Sequence, residues 1–411
     1  MNISFFIANK IAFTQKKSFS SFIIKIAVVA IALSTSVMII GTAVTKGYQH
    51  VISQKFYDCW GQIHITNFLA DPSHILNDEK IIYDSNLVKN IYQNKEVKSI
   101  HTYSMQSCLI KTKEDMEGVL LKGLDNDKSN LLQKKFLTKG NAIHFENKGY
   151  SQEIVLSESM AKKLQLNINN SVIIYFINKN ELTPKARKVT IVGMYNTGLE
   201  DYDNHIVLCD AKLINRINND SANIIQGYEI YLNDHTKTQE IEQEIFDKYI
   251  DAPLQTYTIE KRFSSIFSWL DMMKMNETII IIIMMIIAIV NMITALLILI
   301  MERTQMIGIL KSLGIENKKI KQIFLYTSFY IISLGVILGA ILGIGLCLIQ
   351  QHYGIITLDE TVYYIKNVPI YLSVSTITYI IATTIFVCLS LLLIPAYIIK
   401  TILPTKALQF N

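Results

Sequence analysis

The sequence predicts an integral membrane protein with four transmembrane α-helices and a large α+β extracytoplasmic domain between helices one and two. Three observations carry this. Residues 26–45, 278–301, 322–358 and 368–399 hold no Asp, Glu, Lys or Arg in a chain that is 18% charged. One charge at a helix centre costs about 2.5–3.5 kcal/mol on insertion scales, so such gaps are selected rather than accidental. Between the first two runs lie some 230 residues with the alternating and helical patterns of a folded domain.

Each element follows in order. Residues 1–21 mix Phe5, Phe6, Ile7, Ile11 and Phe13 with Lys10, Lys16 and Lys17, the composition of an interfacial amphipathic helix on the inner leaflet. Helix one is assigned to 22–45. Its apolar run exceeds the 7–15 residues of a signal-peptide core, so a retained span is expected. The domain takes 46–277, helix two 278–301, a cytoplasmic helix and loop 302–321, helix three 322–349, a short external loop 350–370, helix four 371–399 and a cytoplasmic tail 400–411. Lys25, Arg303, Lys311, Lys318, Lys319, Lys321, Lys400 and Lys406 all fall on one side of this layout. The loop between helices three and four has only Asp359, Glu360 and Lys366. Both termini are therefore expected in the cytoplasm.

Within 46–277, strands are predicted at 61–67, 172–177, 188–194 and 228–232, and helical pieces at 87–92, 157–166, 212–217 and 238–249. Ser157 reads as an N-cap with Met160, Ala161 and Leu164 on one face. Five cysteines are present. Cys347 and Cys388 lie in spans, while Cys59, Cys108 and Cys209 leave room for at most one disulfide or, alternatively, buried free thiols.

Little in the chain suggests chemistry. There is no G-x-x-x-x-G-K-[ST] phosphate loop, no H-E-x-x-H, no C-x-x-C and no G-x-S-x-G. The histidines have no ligand-like spacing, and Asp201 and Asp203, flanking Tyr202, read as capping rather than cation-binding groups. No catalytic residue, metal or cofactor is expected in this chain. A net charge of +5 is spread over loops that topology already explains, which argues against a nucleic-acid partner.

The spans carry packing signals instead. Gly335, Gly339 and Gly343 recur at i, i+4 and i+8 on helix three, so a neighbouring helix can approach one face closely. Asn291 is a polar amide in the apolar helix two; it either hydrogen-bonds another helix or lines a pathway.

The layout of one helix, a large external domain and three further helices resembles the type VII ABC permeases, which include MacB, FtsX and the LolC/LolE lipoprotein-release proteins. Asn291 in mid-helix, the element 302–314 (Glu-Arg-Thr-Gln-Met-Ile-Gly-Ile-Leu-Lys-Ser-Leu-Gly) and 320–324 after it follow the LolC/LolE order. So do 154–164, 192–198 with Tyr202 and Asp203, Pro395-Ala396 and 404–408. The resemblance implies a coupling helix that docks into a separate ABC ATPase, with Glu302, Arg303, Ile307, Gly308, Leu310, Lys311, Leu313 and Gly314 matching it. ATP and Mg would be held by that partner. MacB carries its ATPase in the same chain, whereas this sequence has no phosphate loop.

The resemblance further implies the bacterial inner membrane, a second permease in a homo- or heterodimer, and mechanotransmission rather than alternating access. An outer-membrane lipoprotein would enter between helices one and two. Val37, Met38, Ile40 and Gly41 on helix one, and Ile283, Met284, Ile287 and Asn291 on helix two, are the pathway candidates. Met272, Met273, Met275, Met284, Met285 and Met292 give an adaptable apolar surface there. LolC-type proteins recruit a periplasmic carrier through a long hairpin hook; the matching loop, about 178–188, is short here. The alternatives are an FtsX-like transducer activating cell-wall hydrolases and a MacB-like peptide or drug export permease.

Overall fold

Helix one does not stop where its uncharged run stops. In the computed structural model, which describes residues 19–71, 79–112, 115–146, 149–176, 184–221 and 223–395, it runs over Phe19–Trp60. Beyond Lys46 the helix survives because Tyr48, Ile52, Phe56 and Trp60 recur every four residues and are buried, with polar residues between them. Gly61, at φ +78°, ends it in the left-handed conformation that suits glycine. Helix two likewise begins early and spans Ser264–Glu302. The expected domain limits of 46 and 277 marked the ends of hydropathy, not of helix. Of the proposed amphipathic segment 1–21, residues 19–21 belong to helix one, while 1–18 and the tail 400–411 lie outside the described residues.

The chain divides into two units, one formed by Met1–His50, Leu270–Thr357 and Asn367–Asn411, the other by Val51–Trp269 and Leu358–Lys366. In the first unit, helix three covers Asn317–Tyr353 and ends at Gly354 in the left-handed region. Helix four covers Val374–Leu391. All four helices are long and apolar enough to cross a membrane. Ala27, Val28 and Ile31 share one core with Ala288, Met292, Ala295, Phe324, Ile332 and Val336. A short helix, Thr304–Ser312, follows helix two.

The second unit is built on strands β1 (Ile63–Asn67), β2 (Ile81–Ile82), β3 (Val97–Lys111), β4 (Met116–Leu124), β5 (Leu137–Gly140), β6 (Glu153–Ser157), β7 (Ser171–Phe176), β8 (Lys185–Tyr195), β9 (Ile206–Asp210), β10 (Ile224–Ile225), β11 (Gly227–Leu232) and β12 (Leu254–Thr258). Six of them close on themselves, because β3 pairs β4, β4 pairs β9, β9 pairs β6, β6 pairs β8, β8 pairs β7 and β7 returns to β3. The result is a small barrel whose interior takes alternate residues from each strand. These are Cys108 and Ile110, Val119 and Leu121, Ile154 and Leu156, Val172, Ile174 and Phe176, Val189 and Ile191, Val207 and Cys209. Met160, Leu213, Ile214 and Ile217 join this core from the helices Glu158–Lys163 and Ala211–Asn218.

A second core lies under β12–β1–β11–β3. Ile63, Ile65, Tyr228 and Ile230 pack there against Leu87 and Ile91 of Ser85–Ile91 and Ile241 and Ile245 of Thr238–Tyr249. The long β3 serves both layers: Val97–Tyr103 pairs β11 and Ser104–Lys111 pairs β4. It gives Val97 and Ile100 to one core and Cys108 and Ile110 to the other, while His101, Tyr103 and Met105 are buried outside both.

The seam between the layers holds a buried ion cluster. Lys122 of β4 and Lys128 of the helix Asn126–Phe136 both pair with the carboxylate of Glu229, Lys122 at 2.7 Å, and all three are essentially inaccessible. Lys122 also donates to the Cys59 carbonyl at 2.9 Å and sits 4.1 Å from the Trp60 ring centroid. Burial pushes both ammonium groups down, Lys122 to about 7. Removing the shared carboxylate leaves two buried lysine side chains without their ion-pair partner, so Glu229→Gln is expected to lower stability by about 3–5 kcal/mol. A thermal or denaturant melt of the purified protein checks this; an unchanged midpoint contradicts it.

Candidate functional site: the coupling element and the span faces

The segment 302–314 sorts into two faces. Ile307 and Gly308 are buried, and Leu310 packs beside Met306 and Ile315 against the helix-bundle core. Glu302, Leu313 and Gly314 are exposed, and Ile309, absent from the sequence-based set, is 51% exposed beside Leu313 at 73%. Ile309 and Leu313 are four residues apart and so lie on one side of the short helix. Arg303 and Lys311 are half-buried. Gly314, at φ +81°, reverses the chain into helix three; a Cβ there would meet nothing within 4 Å, so its backbone conformation, not crowding, demands glycine. An outward apolar edge of Ile309 and Leu313 is what this element can offer a partner. Ile307, Gly308 and Leu310 instead hold it to its own bundle, a division that helical periodicity alone left undecided.

The three glycines of helix three lie against helix one. A Cβ on Gly335 would stand 2.9 Å from Ile31 Cβ, one on Gly339 2.5 Å from the Ala32 carbonyl oxygen, and one on Gly343 3.2 Å from Ile39 Cβ and Ser36 Cα. Gly345, off that register, faces open space.

The pathway candidates also separate. Met38 is fully buried in a cluster with Ile39, Ala340 and Ile380, against which Met284 packs; both are engaged within the bundle. Val37, Ile283 and Ile287 are exposed at 37, 50 and 43%. Ile40, Gly41 and Asn291 are half-buried, and a Cβ at Gly41 would meet nothing within 4 Å. Leu33 and Val37 with Gly41 thus form one open face of helix one. Ile279, Ile280, Ile283, Ile286 and Ile287 form another on helix two.

In the inter-span domain, Asp203 is a structural group. Its carboxylate accepts from Thr197 N, Thr197 Oγ1 and Gly198 N, while burial pushes it up to about 6. Asp201 is exposed. The two carboxylates therefore do not form a site together, and no His/Cys/Asp/Glu group fit for a metal occurs among the described residues. Cys59, Cys108 and Cys209 are buried and unpaired, with the Cys59 thiol pushed up to about 12 by burial. Strand β8 begins at Lys185, so the connection read as 178–188 is shorter by three residues; 177–183 lie outside the described residues.

Four membrane-length helices lie with a mixed-sheet domain between the first two and a short helix after the second, and residues 278–404 match the family described as FtsX-like permease C-terminal. Over nearly its whole length the chain is also similar to curated proteins. It is 22% identical to the lipoprotein-releasing system transmembrane protein LolE of Haemophilus influenzae, covering 90% of each chain. It is 22% identical to LolC of Neisseria meningitidis serogroup B, covering 86% of each. To LolC of Xylella fastidiosa it is 20% identical over 97% of this chain and 96% of that one. The C-terminal part of the chain thus matches an FtsX-like permease domain, and the chain as a whole is similar to LolC and LolE proteins. Equal identity to a LolE and a LolC assigns it to neither subunit in particular.

Proposed function

We propose that this chain is the permease subunit of an ABC transporter that extracts lipoproteins from the bacterial inner membrane, using ATP hydrolysed by a separate ATPase subunit. The observation that carries the proposal is end-to-end similarity to proteins named for lipoprotein release. The sequence has no phosphate loop of its own, and the outward edge of Ile309 and Leu313 is suited to receive force from a cytoplasmic partner. The lysine and arginine distribution supports a cytoplasmic location for both termini. The open faces at Leu33, Val37 and Gly41 and at Ile283 and Ile287 would then line the lateral entry of acyl chains, beside a second permease. Movement of the ATPases would pass through the bundle to helices one and two.

Purification of the chain from its native membrane, with mass spectrometry of what it retains, tests this. An ABC ATPase with acylated lipoproteins is the expected result. An ATPase with a cell-wall hydrolase or an export adaptor would move the chain to signal transduction or export, and the absence of any ATPase would overturn the proposal.

A further inference from the structure

The second unit contains a cavity of about 580 Å3 on the outer wall of its barrel. Where β3 and β4 pair Leu109 with Gly118, the outward residues are apolar or absent. Phe56 and Trp60, from the end of helix one, and Phe263 and Ile266 face the same space. Trp60, Val119, Leu199, Tyr202 and Ile206 are buried around it. The Tyr202 hydroxyl is buried without a hydrogen-bond partner. Among the described residues no lysine or arginine lines the cavity; its charged group is Asp201, exposed at the rim beside His205. The pKa of the lining Tyr364 is raised first by burial, then by Asp201 and Glu200.

We propose that this cavity holds a single long acyl chain whose head group carries no negative charge. At roughly 30 Å3 per water-sized group, the space accepts about twenty such groups, the size of one long acyl chain. A peptide would bring backbone N–H and C=O groups that need partners when buried, and the lining offers few. An aliphatic chain needs none and gains about 0.8 kcal/mol per buried methylene. The acidic rim repels anionic heads such as a free fatty acid. That the chain comes from a lipoprotein, rather than from a membrane lipid, rests on the release function proposed above.

The chain has two tryptophans, Trp60 and Trp269, so a Trp269→Phe variant in lipid nanodiscs reports Trp60 alone. Quenching by a zwitterionic lysolipid with a brominated chain is expected to saturate, and to weaken about tenfold in apparent affinity with Gly118→Leu. At Gly118 an added Cβ meets only Leu109 Cδ2, at 3.8 Å, so the larger side chain fills the cavity without backbone strain. Asp201→Lys is expected to admit a brominated fatty acid that the parent protein excludes. Quenching that never saturates, or that Gly118→Leu leaves unchanged while the melt is also unchanged, overturns the proposal. So does displacement of the bromolipid by an unacylated apolar peptide. A brominated diacyl lipopeptide that saturates as the lysolipid does supports a lipoprotein source; saturation by the lysolipid alone supports a membrane-lipid site. Saturable quenching in a protein that co-purifies with no lipoprotein keeps the cavity and removes the release function, whereas the reverse pair of results does the opposite.

Discussion

Gly339→Leu is expected to prevent stable assembly of the helix bundle, whereas Gly345→Leu, six residues on, leaves it intact. The difference comes from what each new side chain meets. At Gly339 even a Cβ would stand 2.5 Å from the Ala32 carbonyl oxygen and 2.8 Å from Thr35 Cβ. The first is helix backbone and cannot swing aside. Overpacking a well-filled core costs typically about 1–3 kcal/mol where side chains can shift, and a backbone obstacle puts this site at or above the top of that range. Van der Waals contact is the main force holding helices together in lipid, so forcing helix three off helix one also forfeits the contacts of Gly335 and Gly343. Size-exclusion profile and thermal midpoint in detergent are the readouts. Equal behaviour of the two variants would mean that the glycine face is not a packing surface.

The double variant Ile309→Asp with Leu313→Asp is expected to lower permease-stimulated ATP hydrolysis by at least about tenfold while leaving the thermal midpoint within about 0.5 kcal/mol of the parent, as for exposed positions in general. Both side chains are more than half exposed, so the substitutions remove an outward apolar edge without opening a cavity. Leu310→Asp makes the informative contrast. Leu310 packs on the bundle core, so a carboxylate there buries a charge and is expected to reduce stability as well as coupling. Full stimulation by the double variant would show that the partner docks elsewhere. Loss of stimulation only in Leu310→Asp would show that the bundle, not the exposed edge, transmits force.

The membrane half of the fold was legible because its signals are long and one-sided. A run of two dozen uncharged residues has few other readings, and three glycines in one register announced a close helix contact, though not that helix one makes it. Caps were legible too: Ser157 accepts from Met160 N as its position predicted. The soluble domain was legible in class but not in plan. Strand β3 buries His101, Tyr103 and Met105 on one face as well as Cys108 and Ile110 on the other, so its pattern resembles no single half-buried strand. Barrel closure depends on pairings far apart in sequence, such as Cys108 with Phe176. Lys122, Lys128 and Glu229 carried the composition of surface residues, and only the juxtaposition of β4, β11 and a helix places them inside. In the segment 302–314, periodicity found a helix but not which of its faces was already taken by the bundle.

Barrel closure has a bearing on how such subunits diverge. The arms flanking 177–183 are fixed at every step, from Ser171 opposite Thr190 to Phe176 opposite Lys185, and β7 is pinned again on its other side by β3. Loop entropy grows only as the logarithm of length, each doubling costing about 0.6 kcal/mol. The connection between β7 and β8 can therefore change in length while the registers on either side of it stay as they are. Chains that differ only in the length of this connection can keep the same strand pairings and the same core.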